Sequence, residues 1–169
     1  EVTIDNMVEH LNDIAGIRII CSFMSDIYPI ADMIARQADI TVLHVKDYIK
    51  YPKANGYKSY HMVVTIPVYL SEGKRDTKVE IQIRTIAMDF WASLEHKIAY
   101  KFEGKAPDYL ERELKSCADM VDMLDMKMFS LNQAIMAVEE EERRREEEKR
   151  REREKAERKL EELAGNGPT

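Results

Sequence analysis

"TKVEIQIRT", residues 77–85, alternates strictly in its centre: Val79, Ile81 and Ile83 interleave with Glu80, Gln82 and Arg84. A β-strand sends successive side chains to opposite faces. One face of this strand is therefore apolar, and the other carries an acid, an amide and a base. The preceding run, "HMVVTIPVYL" (61–70), is apolar almost throughout, as a strand covered on both faces is, and Pro67 points to an edge or a bulge. "SEGKRD" (71–76) reads as the turn between them. The polar row of 80, 82 and 84 is then either a sheet edge facing water or the floor of a cleft.

Working outward, "IRIICSF" (17–23) and "ITVLHV" (40–45) read as two further strands, the first of them buried. Ile4, Met7, Val8, Leu11 and Ile14 have helical spacing over 3–15, with Thr3 as cap and Gly16 as stop. A second helix is expected over 26–39, with Asp26 as its cap and Pro29 in its first turn. After the fourth strand the chain is helical, over 86–102 and from 108 onwards. Helices and strands alternate and a hairpin follows, so the fold class is α+β, a mixed sheet with packed helices.

In the last helix Leu110, Leu114, Cys117, Val121, Leu124, Met128, Leu131 and Ile135 repeat at heptad spacing. That stripe suits helix-on-helix packing or an oligomer interface, or else it covers the sheet. Residues 139–159 then hold ten Glu, ten Lys or Arg and one Ala. Five i,i+4 pairs with Glu first, from Glu139/Arg143 to Glu147/Arg151, predict a solvated helix that continues the preceding one. The domain reading is a compact domain over 1–135, a charged helix over 136–164 and a disordered end at 165–169.

Bulk properties bound the function. The chain has 169 residues and a net charge of −6, which argues against general nucleic-acid binding but leaves room for a local basic pocket. No apolar run is long enough for a membrane span, and the N-terminus lacks the layout of a secretory signal. Cys21 and Cys117 read as buried free thiols of a cytoplasmic protein. The chain lacks an initiator Met and is expected to begin inside a longer reading frame.

Chemistry concentrates in two places. "YPKANGYKSYH" (51–61) joins Lys53 and Lys58, Tyr57 and Tyr60, an Asn-Gly pair and His61. Asn55-Gly56 favours a tight turn. The rings offer stacking surface for a purine and the lysines offer charge for phosphates. In "NDIAGIR" (12–18), Asp13 stands near the start of the first strand. An acid there and one on a neighbouring strand can share Mg²⁺, which takes one or two carboxylates plus phosphate oxygens. Spacing alone favours the plainer reading, in which Asp13 is a cap.

"DIAGIRIICSF", "NGYKSYHMVV" and "VEIQIRTIAMDFWASLEHKIAYKFEG" occur in this order and spacing. Through them residues 1–135 resemble the alarmone (p)ppGpp synthetases of the RelA/SpoT family, in particular the small, synthetase-only GTP pyrophosphokinases of Gram-positive bacteria. The resemblance implies a nucleotidyltransferase-like fold. It also implies Mg²⁺-dependent transfer of pyrophosphate from ATP to the 3′-hydroxyl of GTP or GDP. By matching positions, Asp13 and Glu80 are the implied metal ligands and catalytic acids. Tyr57 is the implied guanine-stacking ring. Lys53, Asn55, His61 and Gln82 are implied guanine-nucleotide contacts, and Arg18 the implied adenine-stacking residue. The resemblance further implies a homotetramer and regulation by alarmone or single-stranded RNA. Family synthetases carry an Arg- and Lys-rich stretch before the position of Asp13. Here twelve residues precede Asp13 and none is Arg or Lys, so the synthetase domain is expected to be N-terminally incomplete. The alternatives to a working enzyme are a guanine-nucleotide-binding module without turnover and an α+β scaffold that displays a charged helix.

Overall fold

The computed structural model describes residues 15–71, 73–100 and 107–165. In chain order these form β1 (Ala15–Cys21), α1 (Met24–Ala35), β2 (Thr41–Asp47), β3 (Tyr60–Leu70), β4 (Gly73–Thr85), α2 (Ile86–Tyr100) and α3 (Asp108–Gly165). The strands make one sheet in the order β1-β4-β3-β2. β1 runs parallel to β4, and the other two pairings are antiparallel. The mixed α+β class is as expected. The helix predicted over 3–15 and the candidate residue Asp13 lie outside the described residues, except that Ala15 belongs to β1.

The pairing decides what the alternating strand is for. β4 lies between β1 and β3, so its polar row is not a sheet edge. Glu80, Gln82 and Arg84 line one face of the sheet, which no strand among the described residues covers. The β3–β4 ladder runs from Tyr60↔Ile83 to Leu70↔Gly73, so β4 begins at Gly73 and the turn is shorter than six residues. Gly73 has φ of +121°, a conformation in which side-chain-bearing residues are strained. Pro67 meets the expectation of an edge locally: β2 pairs with β3 only as far as Thr41↔Thr65, so β3 outruns its neighbour at that point.

On the opposite face, Val79, Ile81 and Ile83 pack with Met62 and Val64 of β3 and with Ile27 and Ala31 of α1. Burying each of the larger chains is worth about 1.5–3 kcal/mol. Ile27, Val64 and Ile83 are fully buried. α1 starts two residues earlier than its sequence signals suggest. Asp26 is its third residue, and its carboxylate accepts the Phe23 N–H at 3.0 Å. Pro29 consequently falls in the second turn. The helix ends at Ala35 because Gln37 N–H closes on the Ile34 carbonyl and Ile40 N–H on that of Gln37, a tightened turn that feeds β2.

Two expectations fail at β1. It is an edge strand and not a buried one, with Ile17 and Ile20 exposed. Gly16 is no helix stop; it is the second strand residue, paired with Glu80.

α2 and α3 meet through Trp91, Ala92, Leu114, Ala118 and Val121. The Trp91 indole N–H donates to the Leu114 carbonyl at 3.1 Å. Leu114, Ala118, Val121 and buried Asp125 form the packed row of α3. A helix turns about 100° per residue, so Cys117 and Leu124, one position off that row, are exposed. Up to Lys127, the stripe therefore packs helix on helix through Leu114 and Val121 and leaves Cys117 and Leu124 outward, and Cys117 is not a buried thiol. Cys21 is buried, and burial pushes its thiol pKa up. The chain divides into two units after Lys127. In the second unit Glu140/Arg144 and Glu141/Arg145 pair as expected, at 3.1 and 3.0 Å. Arg150 instead reaches forward to Glu154. No helix among the described residues is long and apolar enough to cross a membrane.

Candidate functional site

The segment between β2 and β3 is built before it is functional. Lys53 N–H donates to the Tyr57 carbonyl at 3.2 Å, and Gly56 N–H to the Lys53 carbonyl at 2.9 Å. Asn55 Oδ1 accepts the Tyr57 N–H at 3.1 Å, an Asx turn, and its Nδ2 donates to Glu95 Oε1. Gly56 has φ of +87°, and a Cβ there would lie 2.5 Å from Ala118 Cβ. Only glycine satisfies both the turn and the approach of α3. Lys58 is not free to meet a phosphate: its Nζ binds Asp122 of α3 at 2.6 Å.

This frame delivers the Tyr57 side chain to the polar row of β4, where the side chains close a circuit. Arg84 Nη2 donates to the Tyr57 hydroxyl at 2.5 Å and to Gln82 Oε1 at 2.8 Å. Gln82 Nε2 donates to Glu80 Oε2 at 2.8 Å. His61 bridges the rest, with Nδ1 3.1 Å from Glu80 Oε1 and Nε2 2.7 Å from the Tyr57 hydroxyl. Burial lowers the His61 pKa, and the Arg84 and Lys53 charges add to that against the pull of Glu80. A neutral ring fits only one proton pattern. Nδ1–H donates to Glu80, and Nε2 accepts from the Tyr57 O–H while that oxygen accepts from Arg84. Burial pushes the Glu80 carboxyl up, but the hydrogen bonds from Gln82 and His61 outweigh it and hold its pKa below the ordinary value. The result is an ionised acid, oriented on both oxygens.

Around this circuit stand the remaining candidates. Lys53 Nζ lies 4.9 Å from the ring centroids of both Tyr48 and Tyr57, and Tyr48 meets the Tyr57 ring edge-on at 5.8 Å. Arg18, register partner of Gln82, pairs with Asp89 at 3.2 Å. The fold thus brings together Tyr57, His61, Glu80 and Gln82. It puts Asn55 under the loop and Arg18 on the neighbouring strand.

Residues that the sequence reading left without a role hold the site together. Arg84 has a side chain only 6 % exposed and also binds Ser59 Oγ and Asp89. Thr85 caps α2 by accepting the Met88 N–H at 3.2 Å, and it donates to Asp125 at 2.7 Å. Burial raises the Asp125 pKa, with the nearby Asp122 charge acting in the same direction. The strict alternation of β4 is the signal that pointed to Arg84.

A metal ion would find one firm ligand here. Glu80 is an ionised oxygen donor of the kind Mg²⁺ takes, one or two at a time, alongside phosphate oxygens. Among the described residues no cluster of three acidic, His or Cys side chains is set to hold a metal without a substrate. That donor set fits a cation that arrives with a nucleotide.

Known proteins share the sequence and the fold of this chain. The family model described as a region found in RelA / SpoT proteins matches residues 2–105. GTP pyrophosphokinase YwaC of Bacillus subtilis is 50 % identical over 135 residues, covering 80 % of this chain and 64 % of that protein. GTP pyrophosphokinase YjbM of the same organism is 41 % identical over 121 residues, covering 72 % and 57 %. The chain therefore spans less than two thirds of these curated relatives. Among solved structures, small alarmone synthetase 2 from Bacillus subtilis aligns with a TM-score of 0.72 at 45 % identity over 79 % of this chain and 77 % of that one. Small alarmone synthetase 1 from Bacillus subtilis, bound to its product pppGpp, aligns with 0.73 at 39 % identity over 76 % and 66 %. By its sequence, its sheet and the length of the match, the chain belongs to the RelA/SpoT family.

Proposed function

We propose that the chain carries the acceptor side of a (p)ppGpp synthetase. It moves pyrophosphate from ATP to the 3′-hydroxyl of GTP or GDP and yields AMP with pppGpp or ppGpp. The observation that carries the reading is the closed circuit of Tyr57, His61, Glu80, Gln82 and Arg84, which sets an ionised acid beside a tyrosine ring. Tyr57 stacks on guanine. Lys53, Asn55, His61 and Gln82 bind the guanine nucleotide, and Arg18 stacks on adenine. The acceptor 3′-oxygen bonds to the β-phosphorus of ATP as the α–β bridging bond breaks, and AMP leaves with the bridging oxygen. Glu80 receives the hydroxyl proton. The low pKa of Glu80 keeps it in the accepting form, and transfer of this kind depends mostly on positioning and charge neutralisation. Asp13 and Glu80 would hold Mg²⁺, which when bound neutralises phosphate charge and lowers the pKa of a coordinated hydroxyl.

The wider reading follows the family. Residues 1–135 act as the synthetase domain and 136–164 as a charged, solvated helix. The protein works in the cytoplasm as a homotetramer and answers to alarmone or single-stranded RNA. The exposed stripe of Cys117, Leu124, Met128, Leu131 and Ile135 supports assembly through α3.

Incubation of the chain with labelled ATP, GTP and Mg²⁺ should give pppGpp, and Glu80→Gln should give none. GTP binding by calorimetry, weakened in Tyr57→Ala, with no turnover even at high enzyme, would leave a binding module. Equal GTP affinity in Tyr57→Ala would remove the stacking role.

A further inference from the structure

One carboxylate lies between two arginines that serve different halves of the site. Asp89 Oδ1 accepts a hydrogen bond from Arg84 Nη1 at 3.2 Å and forms an ion pair with Arg18 Nη1, also at 3.2 Å. Arg84 spends the rest of its fork on Tyr57, Gln82 and Ser59. A guanidinium presents five N–H donors in one plane, so the direction of each contact constrains the others. Arg18 comes from β1, Tyr57 from the segment between β2 and β3, and Asp89 from the first turn of α2. The helix N-terminus favours a carboxylate there. Thr85 caps that helix, so the backbone holds Asp89 without help from a ligand.

We propose that Arg84 and Asp89 are a positioning pair that ties the acceptor side, Tyr57 and Gln82, to the donor side, Arg18, and sets the two nucleotides in one geometry. The inference rests on the reading of Tyr57 and Arg18 as the two stacking residues. In that reading neither Arg84 nor Asp89 touches a nucleotide. Transfer between two bound molecules needs the reacting atoms about 3–3.5 Å apart and aligned. Stacking residues on separate elements would otherwise move independently. A shared, part-buried carboxylate makes the placement of one bear on the placement of the other. Lysine does not substitute for Arg84, because one ammonium cannot meet Ser59, Tyr57, Gln82 and Asp89 along fixed directions.

The test is calorimetry of the chain with GTP, with the ATP analogue AMPCPP, and with GTP at saturating AMPCPP. Arg84→Lys, Asp89→Asn and Tyr57→Phe are compared with the parent, and a thermal melt of each reports folding. In the parent, AMPCPP tightens GTP binding. In Asp89→Asn that tightening is lost, and each nucleotide alone binds several-fold more weakly, on the order of the charged hydrogen bonds removed. Arg84→Lys binds GTP about tenfold more weakly and AMPCPP within about twofold of the parent. Tyr57→Phe keeps the ring, buries no new charge and moves GTP in the same direction, so the proposal does not hang on the folding of Arg84→Lys. A purely structural role would lower the melting temperature and leave the coupling unchanged. A parent without coupling, an Asp89→Asn form with undiminished coupling, or a Tyr57→Phe form with parental GTP affinity overturns the pair. A parent that binds neither nucleotide sinks the functional reading itself, and is told apart because it shows before any variant is made.

Discussion

Arg84 on β4 and Arg144 on α3 are the same side chain put to opposite use. The first is 6 % exposed and engages Ser59, Tyr57, Gln82 and Asp89; the second is 72 % exposed and meets Glu140 one turn away. Both lie in segments crowded with charge. In the sheet each charge has lost water and must be replaced by a directed partner, so removing one leaves the others stranded. On the helix water does the work, and each ion pair adds little. Charge density therefore says nothing about energetic weight until burial is known.

The largest break in that contrast comes at Arg84. Arg84→Met should destabilise by about 3–5 kcal/mol, the scale for breaking a buried ion pair, because Ser59, Gln82 and the Tyr57 hydroxyl lose their donor and Asp89 keeps only Arg18 among the described residues. Urea unfolding checks this, and a loss below 1 kcal/mol, the ceiling for exposed pairs, would put Arg84 in the same class as Arg144. Gly56→Ala comes next, at roughly 2 kcal/mol, from the positive φ and the overlap with Ala118. Its melting temperature and its GTP affinity, by calorimetry, should fall together if α3 holds the loop in the form the proposed function requires.

Asp125 sharpens the comparison through pH. Its folded pKa is raised, so the fold favours the protonated acid. The stability it contributes is complete below the unfolded pKa and is lost as pH rises through the raised folded value. Asp125→Asn mimics the protonated form. It should be the more stable protein at neutral pH, with the difference vanishing in acid. Melts of both proteins from about pH 3, below the ordinary Asp value of about 3.9, to about pH 8 decide it. A constant difference across the range would remove burial as the cause. The smallest effect belongs to Glu140→Ala, expected to cost about 0.2–0.5 kcal/mol and to fade in salt. A cost near that of Arg84→Met would mean the tail is docked and not solvated.

Much of the site was legible. The alternation of 79–84 marks a two-faced strand, and the sequence by itself singles out Tyr57, His61, Glu80 and Gln82, four of the five members of the circuit. Arg84 stood in the same row and went unassigned, because its importance lies in Asp89, five residues on and in another element, and in Ser59 from the preceding connection. The α3 stripe was legible as a spacing but not as a direction. Heptad repetition marks apolar positions, and only the contact with Trp91 shows which neighbouring row is packed. Gly16 misled because glycine ends helices often and sits in edge strands as well.

By itself the sequence determined the element types, the polar row of β4 and the solvated character of the charged tail, since these depend on periodicity and on local propensity. The tertiary structure alone decided that β4 is interior, that the loop at Gly56 is pinned by α3, and that one aspartate joins two arginines. Those facts depend on which segments, distant along the chain, lose water together, and no local pattern encodes that.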